Sequence, residues 1–207
     1  MKTLNTLLLA AIVAPAAASA AEPGTALPGY NGTLEFGFGF GGTATADPDE
    51  GNKTEADLST TLSIIPGLDR MLGAVVGTGF EWGFHWFKAA DQTVGGVTIE
   101  DKTRQLVMTP MFRIRMAFPV YQGVTFDGML GLGAAIWTAD EDAAKDTPFD
   151  STRFGYSFRF NFGGSYQFNP SVAAFANLGY LSTSSFGDSL KATYDGIPLN
   201  LGLRGGF

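Results

Sequence analysis

Between Arg153 and Phe168 the chain reads Arg-Phe-Gly-Tyr-Ser-Phe-Arg-Phe-Asn-Phe-Gly-Gly-Ser-Tyr-Gln-Phe, with an aromatic ring at every even position except Gly164 and a polar residue or glycine at every odd one. A two-residue period marks a β-strand, whose successive side chains point to opposite faces. Strands of soluble proteins run to about five or six residues, and a chain of 207 residues cannot build a core that covers so many rings from one strand. Lipid can. Arg153, Ser157, Arg159, Asn161 and Gln167 then face a polar interior. A bilayer satisfies no open sheet edge, so the sheet must close on itself.

The same two-residue ruler predicts eight strands, at about 30–43, 58–65, 72–87, 104–118, 124–137, 153–168, 172–181 and 197–207. Phe36, Phe38 and Phe40 share an outward face in the first, Leu58, Leu62 and Ile64 in the second, Phe80, Trp82, Phe84 and Trp86 in the third, and Leu199, Leu201, Leu203 and Phe207 in the last. Connections after the even strands are short, around Pro66–Asp69, Pro119–Gly123 and Asn169–Pro170, and those after the odd strands are long. Tight periplasmic turns alternating with longer external loops are how outer-membrane barrels are built. The predicted fold is therefore all-β, an eight-stranded antiparallel up-and-down transmembrane β-barrel. Pro110 falls mid-strand, where it has no N–H for the ladder, and predicts a local bulge. If Phe118 faces Val124 across the fourth hairpin, Arg115 faces Asp127 inside the barrel.

The N-terminus supplies the compartment. Lys2 precedes a short apolar run from Leu7 to Val13, and Ala18-Ser19-Ala20 is a small-x-small cleavage site, so residues 1–20 read as a signal peptide, 21–29 as a periplasmic lead-in and 30–207 as the barrel. The run is too short for a membrane helix and Pro15 interrupts it. A formal charge of −7, made more negative when Lys2 leaves with the leader, argues against a nucleic-acid partner. The absence of cysteine excludes disulfides and thiolate chemistry.

The signal peptide, the eight alternating strands and the ending Asn200-Leu-Gly202-Leu-Arg-Gly-Gly-Phe207 resemble the small outer-membrane barrels of the OmpA/OmpX type, over essentially the whole mature chain. The resemblance implies the outer membrane of a Gram-negative bacterium, and the chain is expected to be a monomer there. It also implies an assembly signal at Asn200, Gly202 and Phe207, read by the outer-membrane assembly machinery. Gly205 stands where that family usually carries a bulky apolar residue. A shared fold does not imply a shared activity.

The inward positions hold Glu35, Glu81 and Asp127 against Arg113, Arg115, Arg159 and Arg204. An eight-stranded barrel is just wide enough for its own side chains to fill it, so these residues are expected to pair as an interior ion-pair network; a selective pore ring is the sharper alternative. Inward glycines, among them Gly37, Gly83, Gly131 and Gly163, either accommodate large neighbours or leave an apolar cavity for a small hydrophobic ligand, as in OmpW-like barrels. His85 is the single histidine. It reads as a hydrogen-bonded rim residue, because a Ser-His-acid site would need a serine such as Ser59 or Ser63 that nothing marks. The external loops carry acid at Asp47, Asp49, Glu50, Asp140, Glu141 and Asp142. They read as solvated, with divalent cations bridged to lipopolysaccharide phosphates or a cationic partner as the sharper alternative. Asp47 to Asn52 lacks the spacing of a calcium loop. No metal or cofactor is predicted. The expected function is non-enzymatic, structural or surface-interacting, with a narrow carrier for small hydrophobic compounds second and a lipid-modifying enzyme a distant third.

Overall fold

The computed structural model describes residues 29–40, 42–48, 54–89, 92–94, 97–99, 104–139, 152–186 and 190–206; the signal peptide, nearly all of the lead-in, Asp49, Glu50, Asp140, Glu141, Asp142 and Phe207 lie outside them. The strands are β1 (Tyr30–Phe40), β2 (Thr43–Pro48), β3 (Thr54–Met71), β4 (Val76–Ala89), β5 (Gln92–Val94), β6 (Val97–Ile99), β7 (Arg104–Tyr121), β8 (Val124–Ala139), β9 (Arg153–Asn169), β10 (Val172–Ser185), β11 (Leu190–Gly196) and β12 (Pro198–Gly206). β5 and β6 form a separate small hairpin. β1 with β2, and β11 with β12, are each one stave in two pieces, so the antiparallel barrel has eight staves. It closes where β1 pairs with β12, from Asn31 opposite Gly206 to Gly39 opposite Pro198.

The closure is sheared. A row followed from Phe154 on β9 through Ile136, Met108, Phe84, Ile64, Phe36, Leu201 and Ala176 returns to β9 at Gly164, ten residues from its start. Rows of side chains therefore spiral along the barrel, as strand tilt requires. Alternation separates the faces sharply: Phe160 is 41% exposed on the outside and Arg159 beside it is 0% exposed on the inside. Phe36, Trp82, Phe112, Leu132, Phe162 and Leu201 continue the outer apolar surface. No helix among the described residues is long and apolar enough to cross a membrane; the strands cross it.

The staves run beyond the expected strands, since β2 and β11 lie in segments read as the first and last long loops and pair with each other, and four further details differ from the sequence expectations. The Pro66-Gly67 turn is absent: β3 runs through it and turns at residues 72–75. Pairing with β1 on one side and β4 on the other outweighs the turn preference of Pro-Gly. Leu58 faces inward, because a register shift between Leu58 and Thr60 reverses the parity at the outer end of β3. Pro110 makes no bulge; the β7–β8 register is the same on both sides of it and only the bridges at Thr109 and Pro110 are missing. Phe118 faces Phe126 rather than Val124, owing to a shift between Pro119 and Tyr121 just before Gly123 turns the chain at φ 73°.

Candidate functional site in the barrel interior

Among the described residues, eight charged side chains are buried in the barrel interior, while Arg153, also expected to face inward, is only half-buried at the start of β9. Arg113, Arg115, Arg159 and Arg204 are buried with Glu35, Glu81, Asp127 and Asp69, four of each sign. They form one continuous chain across the lumen. Arg204 Nη1 lies 3.5 Å from Asp127 Oδ2, and Arg115 donates from Nη2 to Asp127 Oδ1 at 2.7 Å. Arg115 Nη1 is 3.8 Å from Asp69, whose Oδ2 accepts from Arg113 at 2.6 Å. Arg113 Nη1 lies 3.3 Å from Glu81 and 3.6 Å from Glu35, and Arg159 reaches Glu81 at 2.9 Å and pairs with Glu35. Each carboxylate thus bridges two guanidinium groups, the arrangement that makes buried charge tolerable.

Arg115 and Asp127 meet diagonally rather than face to face, since Arg115 stands opposite Met129 and Asp127 opposite Ala117. The long guanidinium spans the offset. Asp69 escaped the sequence reading because the supposed Pro-Gly turn removed it from a strand. Extending the alternation of Leu62, Ile64, Pro66 and Leu68 gives it inward parity. Gly67 shows why the network fits: a Cβ there would lie 2.7 Å from both Arg113 Nη1 and Thr33 Oγ1. Neighbouring side chains likewise fill the space beside Gly83 (His85 and Thr109), Gly196 (Tyr194) and Gly202 (Phe175).

Above the charges, toward the external end, the interior changes character. His85 is 1% exposed and held at both nitrogens, Nδ1 2.7 Å from Ser63 Oγ and Nε2 2.8 Å from Thr109 Oγ1. A buried imidazole committed at both nitrogens is positioned as structure rather than as a base open to substrate. Beyond it Leu58, Phe87, Val107, Trp137, Leu181 and Tyr194 pack into an apolar cluster, with the Phe87 and Tyr194 rings 4.0 Å apart. The interior is thus a charged core with an aromatic layer above it. No group of metal-ligating side chains occurs among the described residues. Asn200 and Gly202, expected in the assembly signal, lie on β12 opposite Gly37 and Glu35.

A closed eight-stave barrel with an apolar exterior and an ion-paired interior defines a small outer-membrane β-barrel, and the fold places the chain in the Gram-negative outer membrane. Solved structures share it, two among them as follows. Neisserial surface protein A aligns with 16% identity over 86% of this chain and 97% of that chain, at a TM-score of 0.52. The outer membrane protein OprG from Pseudomonas aeruginosa aligns with 14% identity over 89% of this chain and 98% of that chain, at a TM-score of 0.53. The likeness is one of fold. No family model matches the sequence, and no curated protein matches it.

Proposed function

We propose that this barrel is a non-enzymatic, monomeric outer-membrane protein whose interior is closed to ions and which acts through its exterior, as an envelope component and through its acidic external loops. The observation that carries the reading is the interior network, in which four carboxylates each bridge two arginines. An ion entering that core would have to shed water and displace a hydrogen-bonded pair. Purified protein in planar bilayers is expected to give no discrete conductance steps in potassium chloride; steady unitary currents would overturn the closed reading. The apolar cluster around Phe87 and Tyr194 favours a second reading, a carrier for small hydrophobic compounds, which uptake of an apolar dye into proteoliposomes would reveal.

The partners follow from the location. Lipopolysaccharide would surround the external half, its phosphates bridged by divalent cations to loop carboxylates such as Asp47 and Asp140. The assembly machinery would read the end of β12. Deleting Phe207 is expected to lower the folded fraction in the outer membrane, judged by heat-modifiable gel mobility, far more than it lowers refolding in detergent. One terminal ring buries only about 1.5–3 kcal/mol of apolar surface. Normal surface levels of the truncated protein would remove the assembly-signal assignment.

A further inference from the structure

One row of inward residues is polar but not charged, and it climbs. From Asp127 the row passes Gly163, Asn177, Asn200, Gly37 and Ser63 to His85. Because the barrel is sheared, the row rises from the periplasmic end of the ion-pair core to its external side. His85 continues it to Thr109. Two residues beyond Ser63 on the same face, Thr61 shares a 3.3 Å hydrogen bond with the Tyr194 hydroxyl, inside the aromatic layer.

The middle of the row is unsatisfied among the described residues. Asn177 is 7% exposed and Asn200 0% exposed, and Asn177 Oδ1 and both amide atoms of Asn200 have no hydrogen-bond partner among the described residues. Buried polar atoms are almost always paired, with protein or with ordered water. Both amides lean over glycines: a Cβ on Gly163 would lie 2.5 Å from Asn177 Oδ1, and one on Gly37 2.6 Å from Asn200 Oδ1. Any larger residue at either glycine would displace an amide from the row. Asn177 and Asn200 stand directly opposite each other, with their amide oxygens turned to Gly163 and Gly37 on either side of the pair; waters beside them would meet two acceptors and the Asn200 donor, the kind of polar partners that a buried water requires.

We propose that this row carries a file of water molecules around the ion-pair core, making the barrel a water pathway that excludes ions. Asn177, Asn200, Ser63 and the Thr61–Tyr194 pair would hand water on by exchanging hydrogen bonds. The locked arginines and carboxylates present no unpaired charge to draw an ion in. Ion conduction would overturn the preceding reading and the ion exclusion stated here together, whereas a barrel that conducts neither ions nor water would overturn the water file alone.

The test is osmotic shrinkage of proteoliposomes followed by stopped-flow light scattering. Wild-type vesicles are expected to shrink several-fold faster than protein-free vesicles of the same lipid, and Asn177→Leu with Asn200→Leu should return the rate to the protein-free value. Wild-type vesicles no faster than empty ones would overturn the proposal, as would a folded double variant that keeps the wild-type rate. Should the double variant fail to fold, the natural absence of cysteine allows a second approach. Asn200→Cys should keep its permeability until a small mercurial blocks it, and a thiol should restore it; a permeable variant indifferent to the mercurial would overturn the assigned route.

Discussion

Arg113→Met is expected to lower the unfolding free energy in lipid vesicles by about 3–5 kcal/mol, the loss typical when one partner of a buried ion pair is removed. Arg113 is the hub of the interior, donating to Asp69 at 2.6 Å and to Thr33 at 2.9 Å while standing 3.3 Å from Glu81 and 3.6 Å from Glu35. Methionine fills much of the same volume, so packing changes little and the loss is mainly electrostatic. Glu35 and Glu81 keep Arg159, but Asp69 keeps only Arg115 at 3.8 Å. Asp69 is thus the stranded charge, and adding Asp69→Asn should recover part of the loss. Arg113→Lys retains the charge but not the planar fork and should fall between wild type and methionine. Urea titrations read all four proteins. A loss below about 1 kcal/mol, the range of exposed pairs, would show that the network is not desolvated.

Phe160→Arg should cost about 2–4 kcal/mol, the range for an arginine on the lipid face near the bilayer midplane. Phe160 lies mid-strand on β9, faces outward and packs 6.1 Å from Phe162. Phe160→Leu keeps an apolar side chain in lipid and is the control that should retain most of the stability. Asn161→Arg is not a fair comparison: Asn161 is fully buried over Gly179, so an arginine there would meet a packed wall. Equal unfolding midpoints for Phe160→Arg and Phe160→Leu would mean that this face does not see lipid.

The faces of the barrel were legible because lipid outside and polar contacts inside impose a period of two, and a one-residue slip would put every side chain on the wrong side. Local devices were less legible. Pro66-Gly67 has the composition of a turn but sits between two partner strands, and the misplaced turn hid Asp69. Leu58 follows the outward parity of Leu62 and Ile64 on paper, and only the shift beside Thr60 turns it inward. In the interior, membership could be read from parity but partnership could not. Arg159 and Glu35 meet although 124 residues separate them, because shear and closure bring them to one level. Periodicity along a strand carries no information about which side chains share a level across the lumen.

The distribution of the ion-pair chain among the staves sets the order in which the barrel can form. Its members come from β1, β3, β4, β7, β8, β9 and β12, and the contacts of Arg113 with Thr33 and of Arg159 with Glu81 close spans of 80 and 78 residues. Such distant contacts form late and slow folding. A sheet that inserted strand by strand could pair Arg115 with Asp127 and Arg113 with Asp69 early, but Arg159 would reach Glu35 only once the barrel curved shut. A partly open sheet would leave these charges incompletely paired, so the barrel gains its full set of interior contacts only when the seam between the first and last staves closes.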